Sequence, residues 1–210
     1  MQSASRRYPE ELLAAAKQGA PERLGELLQL YTNYLNVLAS THLDGRLQVR
    51  CSPSDVVQET FLEAHRDFPQ FRGQGEGEFL AWLRRILVNN LMRAVERHVV
   101  AQRRCVHREI SLEEMGASLE RSTARLEAVL AQHEPSTGSA VQRNERGVIL
   151  ADELSGMTDD HRQVLVLRHI QGLSFKEVAE RMDRSSGAVR MLWMRAIGAL
   201  RGRLESRGVL

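Results

Sequence analysis

Two helical patterns joined by a very short polar turn lie near the end of the chain, and they restrict its fold more than any other feature. The first opens at Ser174, with Glu177 three residues on. In that spacing the serine hydroxyl and the acid each satisfy the other's free backbone donor. The second opens at Ser185 or Ser186 and runs without a breaker to about Leu204. Such a pair is the sequence form of a helix-turn-helix. On a helical wheel Val189, Leu192, Trp193, Ala196 and Leu200 gather on one side of the second helix. Gly187, Arg190, Met191, Met194, Arg195 and Arg201 take the other. Arginines on such a face suit guanine edges and phosphates. Arg184, Ser185 and Ser186 stand at the helix start, where donors suit a phosphate. Met191 and Met194 are unusual on a solvated face, and contact with thymine methyl groups accounts for them. A plain helical hairpin with charged outer residues is the alternative.

The rest of the chain reads as helices too. A helix is expected over Pro9–Lys17, with Pro9 near its start and Gly19 as its stop. A longer one is expected from Pro21 to Asp44-Gly45, on a three-four repeat through Leu24, Leu27, Leu28, Tyr31, Leu35 and Leu38. Ser52-Pro53-Ser54-Asp55 restarts a helix whose apolar side holds Val56, Phe61, Leu62 and Ala64. Glycines punctuate the loop Phe71–Gly77. A long helix follows from Glu78 to about Val99, with Phe79, Leu83, Ile86, Leu87 and Ala94 on one face. The pattern weakens from Cys105 to about Asn144, with short helical turns around Leu112 and Leu126. Periodicity returns over Val148–Leu154 and over Asp159–Ile170, the latter capped by Thr158. No strand alternation persists. The expected fold is all-α: two small helical domains, 8–104 and 145–207, joined by a partly flexible linker over 105–144.

Net charge is only +2, so its distribution matters more than its sum. Arg84–Arg108 holds seven arginines and one glutamate, and Arg184–Arg207 holds six and one. An acidic stretch separates them. Two phosphate-contacting surfaces on one nucleic acid fit this pattern, as do two solvated helix faces. Within the long helix, Trp82, Arg85, Asn89 and Arg93 form a stripe. An aromatic ring, two cations and an amide suit unstacked bases. Trp82 is equally readable as core, and Asn90 as a buried structural amide. On the helix from Ser54, Asp55, Gln58, Glu59 and Glu63 are expected on exposed positions. They form either a solvated acidic face or a docking face for a basic partner.

Several classes are set aside. No apolar run reaches the roughly 18 residues of a membrane span, and no secretory leader is read at the start. Cys51 and Cys105 lack metal-type spacing and are expected as free thiols, which suits a reducing cytoplasm. The histidines show no ligand spacing and no nucleophile–base set stands out. No enzyme activity, metal, cofactor, small-molecule substrate or direct membrane insertion is expected.

Three segments together resemble a known family. Asp55-Val56-Val57-Gln58-Glu59-Thr60-Phe61, Phe71-Arg72-Gly73 and Trp82 to Asn90 are similar to region two of bacterial sigma factors. Leu165-x-Leu167-Arg168, Gly172 to Ala179 and Ser186 to Arg190 are similar to region four. A chain with only these two regions and a linker resembles the extracytoplasmic-function (ECF) sigma factors of RNA polymerase. The resemblance implies a protein that binds core polymerase and directs promoter recognition, melting and transcription initiation. It implies docking through Asp55, Gln58, Glu59, Phe61 and Glu63. It implies contact with the melted minus-ten element through Phe71, Arg72, Trp82, Arg85, Asn89 and Arg93. Arg184, Ser185, Ser186, Gly187, Arg190, Met191, Met194 and Arg195 match the reader of the duplex minus-thirty-five element. The linker would thread toward the polymerase's RNA exit path. An anti-sigma factor is an implied partner. A departure is Met191-Leu192, where many relatives carry a small polar and then a basic residue. A regulator that binds duplex DNA without polymerase is the alternative.

Overall fold

In the computed structural model the described residues are 2–43, 51–100, 114, 116–118, 121–122, 124–125 and 140–209. They are helical, with no strand among them. Contacts divide the chain into two units, Met1–Leu119 and Glu120–Leu210. The linker expected over 105–144 falls largely outside the described residues, as do Cys105, Leu112, Leu126 and Asp44-Gly45.

The first unit holds α1 (Gln2–Lys17), α2 (Pro21–Leu30), α3 (Thr32–Ser40), α4 (Pro53–Asp67) and α5 (Glu76–Val100). α1 packs on α2, α3 on α4, and α4 on α5. Two boundaries differ from expectation. α1 begins well before Pro9, so this proline lies inside the helix rather than near its start. The long helix expected from Pro21 is broken at Tyr31, whose backbone stands at φ −100° and ψ 3°. Tyr31 is buried and its hydroxyl donates to Glu76 Oε1 on α5 at 2.9 Å. Burial and the neighbouring carboxylate push its phenol well above the usual range. The tertiary bond thus fixes Tyr31 where the helix yields, and the three-four repeat resumes unchanged at Tyr34, Leu35 and Leu38.

α4 starts as the sequence indicates. Ser52 Oγ accepts from Asp55 N at 3.1 Å, and Ser52 N donates to Asp55 Oδ2 at 3.0 Å. Its buried side is Val56, Val57, Thr60 and Ala64. Leu62 is not part of that side: it is 75% exposed, and Phe61 is only half-buried. α5 buries Phe79, Leu80, Leu83, Leu87 and Leu91 completely. Each such leucine contributes roughly 1.5–3 kcal/mol of transfer free energy. Asn90 is the buried amide expected, donating to Thr60 Oγ1 at 3.4 Å and accepting from Arg93 Nη1 at 3.1 Å.

The second unit holds α6 (Ala140–Ser155), α7 (Asp159–Leu165), α8 (Phe175–Arg181) and α9 (Ser186–Ser206). α9 packs on α7 and α8, and more lightly on α6. Thr158 occupies the N-cap position of α7, but its hydroxyl makes no capping bond. The helix expected to run on to Ile170 widens instead into a π turn over Val166–Ile170, closed by Gln171 N donating to Val166 O at 2.9 Å. Gly172 then adopts φ +76°, a left-handed conformation that an L side chain strains to reach, and ends the segment. Arg125 Nη1 satisfies the exposed carbonyl of Gln171 at 2.7 Å. α8 carries the expected reciprocal cap, Ser174 with Glu177.

Candidate nucleic-acid interface

The short turn between α8 and α9 places Ser185 as the N-cap of α9, its Oγ accepting from Ala188 N at 3.2 Å. The wheel holds. Val189, Leu192, Ala196 and Leu200 are buried, while Gly187, Arg190, Met191, Met194, Arg195 and Arg201 are exposed. Ser186 is also exposed at the helix start.

The arginines of this segment are not equivalent. Arg203 Nε and Arg207 Nη1 close on the two oxygens of buried Glu153 at 2.8 and 2.9 Å, tying α9 to α6. Arg201 pairs with Glu205 at 2.8 Å, and Arg184 with Asp160 at 2.7 Å. The six-arginine run is therefore not one uniform phosphate surface. Among the described residues, Arg190 and Arg195 have no carboxylate partner. Arg190 instead lies 5.5 Å from the centre of the Phe175 ring, and Arg168 lies 4.8 Å from the same ring. A guanidinium held against a ring face keeps its forked donors free at the edge.

Trp193 packs behind this arrangement. Its ring meets Phe175 edge-on at 5.5 Å, and its Nε1 donates to His169 Nε2 at 2.9 Å. His169 must be neutral at that nitrogen to accept. Burial, then the Arg168 charge, holds its pKa below the ordinary histidine value.

In the first unit the expected stripe lies along α5. Arg85 is exposed, Asn89 half-buried and Arg93 exposed. Trp82 joins an aromatic cluster, 5.1 Å from Phe71, 5.7 Å from Phe79 and 6.3 Å from Phe68. Phe71 thus packs within the cluster rather than standing free. Lys17 lies 5.4 Å from its ring and donates to Gly73 O. Gly73 is required by this closeness, since a Cβ there would stand 2.3 Å from Phe71 Cζ. Arg72 is exposed and donates to Pro69 O at 2.7 Å.

On α4, Asp55, Gln58 and Glu59 are exposed as expected. Asp55 also caps its helix, and its bonds to Ser52 hold its carboxyl below the usual range. Glu63 is a correction. Its side chain is only 13% exposed, because Arg93 Nη1 reaches it at 2.9 Å across the α4–α5 contact. Glu59 and Arg97 repeat the pairing one turn away at 3.7 Å. Two residues take places here that the sequence did not assign them. Leu62 stands exposed beside Gln58 and Glu59, and Phe175 braces Arg190. The capped start of α8 placed Phe175, but its role as a brace shows only in three dimensions. Among the described residues no cluster of histidines, cysteines and acids suits a metal, and no helix is long and apolar enough to cross a membrane.

Comparison with known proteins gives this geometry its context. Sigma-70 region 2 matches residues 46–99 and Sigma-70 region 4 matches residues 154–202. An ECF RNA polymerase sigma-E factor of Haemophilus influenzae is 28% identical over 196 residues, covering 93% of this chain and 95% of its own. Its namesake in Escherichia coli is 29% identical over 184 residues, covering 81% and 85%. That of Salmonella typhimurium matches to the same extent, 29% over 184 residues with the same coverage. Two matched regions in order, each on its own helical unit, place the chain among the ECF sigma factors of bacterial RNA polymerase.

Proposed function

We propose that the chain is a promoter-specificity subunit that binds core RNA polymerase and directs promoter recognition, melting and initiation. One observation carries this reading: the two sigma-70 regions fall on two separate helical units, and each unit offers a different exposed polar surface. The protein acts by binding and positioning, with no chemistry of its own.

The roles divide by surface. Asp55, Gln58 and Glu59, with half-buried Phe61 and exposed Leu62, would dock on core polymerase; Glu63 would contribute mainly by holding Arg93. Arg85, Asn89 and Arg93 would meet the melted minus-ten strand, with Trp82, Phe71 and Arg72 as its stacking and loop platform. Melting removes base stacking, so an aromatic and cationic surface must offset part of that cost. Arg190, Met191, Met194 and Arg195 would read the minus-thirty-five duplex. Ser185, Ser186, Gly187 and Arg184 would lie at the phosphate-facing helix start. A cytoplasmic protein restrained by an anti-sigma factor is the setting this reading implies.

The test is run-off transcription with sigma-free core polymerase and a library of promoter fragments. Initiation from defined start sites supports the proposal. No specific initiation on any fragment overturns it, and tight sequence-specific duplex binding without polymerase would instead favour a stand-alone regulator.

A further inference from the structure

The sequence holds seven methionines. Among those whose side chains are described, Met157 is buried, Met92 and Met182 are half-buried, and only Met191 and Met194 are exposed, at 53% and 60%. Both lie on the face of α9 that also carries Arg190 and Arg195. The four residues form two pairs one helical turn apart, Arg190 with Met194 and Met191 with Arg195. Oxidation follows exposure, and a thioether sulfur takes up one oxygen reversibly. Among the described residues, the exposed thioethers therefore lie together on the candidate reading face.

We propose that Met191 and Met194 form a redox-sensitive modification site, at which oxidation by a peroxide silences contact with the upstream promoter element and enzymatic reduction restores it. This rests on α9 being the duplex reader. A sulfur lone pair attacks one peroxide oxygen. The O–O bond breaks, an S–O bond forms, and the second oxygen leaves with the protons as water. Sulfur is oxidised by two electrons and the peroxide is reduced by two. Reversal by a methionine sulfoxide reductase draws two electrons and two protons from a pair of thiols, which close to a disulfide, and releases the oxygen as water. Two effects follow in the oxidised protein. The apolar surface offered to a thymine methyl becomes polar. Each sulfoxide oxygen is also a strong acceptor one turn from an arginine, and competes with the base edge for its donors.

The experiment treats the full chain with hydrogen peroxide, then with dithiothreitol to reverse oxidation at Cys51 and Cys105. The protein is then assembled with untreated core polymerase on a promoter duplex selected by the untreated holoenzyme. Peptide mass spectrometry is expected to find one oxygen on Met191 and on Met194 ahead of Met92, Met157 and Met182. Run-off transcripts are expected to fall roughly tenfold, the loss of one good base contact, and to recover after treatment with methionine sulfoxide reductases. For a M191L/M194L variant, the ratio of treated to untreated transcription stays near one, whatever its own activity. Full oxidation of both residues with unchanged transcription overturns the proposal, as does an equal loss in the variant. A second arm oxidises the assembled holoenzyme on its promoter. Protection of both methionines there supports α9 as the reader; a failure to protect counts against that reading itself. Protection without loss of transcription in the first arm overturns only the modification site.

Discussion

Glu63 on α4 and Arg93 on α5 meet at 2.9 Å, so the acidic face of one helix is bonded directly to the basic stripe of the other. Arg93 remains 52% exposed, so water screens the pair and its contribution to stability is modest. A double-mutant cycle with Glu63→Gln and Arg93→Gln is expected to give a coupling of roughly 0.5–1 kcal/mol in urea unfolding. Additive single effects would show that the pair contributes nothing beyond its two separate side chains.

The arginines of α9 are expected to separate into readers and struts. Arg190→Ala should weaken upstream duplex binding by about 1–3 kcal/mol and relax preference at one base pair, with little change in thermal stability. Arg203→Ala leaves buried Glu153 with half its cationic partners. It should lower the melting temperature and leave base preference alone. The paired measurements are thermal unfolding and binding to a panel of single-base promoter variants. The opposite pattern would reverse the assignment.

Acid should loosen the second unit through His169. Its folded pKa is depressed, so its contribution to stability is present above the unfolded value near 6.5 and is lost as pH falls through the folded value. The proton would arrive at the nitrogen that accepts from Trp193 Nε1. Trp193 emission, followed in a Trp82→Phe background, is expected to titrate below pH ~6.5. Replacing His169 with Phe should remove that step; an unchanged titration would place its origin elsewhere.

Gly73→Ala brings a methyl group into the Phe71 ring. The ring must leave its place against Trp82, disturbing the loop that joins α4 to α5. Trp82 emission in a Trp193→Phe background should shift to the red. Promoter opening should slow more than upstream binding weakens. An unshifted emission would mean that the loop absorbs the methyl group elsewhere.

Local chemistry was the most legible part of the sequence. The cap at Ser174–Glu177 and the restart at Ser52–Asp55 form as their spacing indicates, because their partners lie three residues apart. The wheel of α9 was equally readable, since helical geometry alone separates Val189 and Leu200 from Arg190 and Met194. What escaped depends on partners distant in sequence. Tyr31 breaks its helix where it bonds Glu76 on another element, and the repeat passes through that break unaltered. Glu63 was expected exposed because its cation comes from α5. Arg203 and Arg207 were counted with the DNA-facing arginines, since Glu153 lies some fifty residues away. Leu62 was assigned to the apolar side by residue type, although the helix turns it outward.

The Phe175 ring receives Arg168 from the segment before the turn and Arg190 from the helix after it. One side chain therefore links the bend of the motif to the aim of an exposed arginine that has no carboxylate partner among the described residues. A substitution at position 175 that never touches DNA should alter which base Arg190 reaches. Changes in promoter choice among relatives would then be sought there as well as on α9.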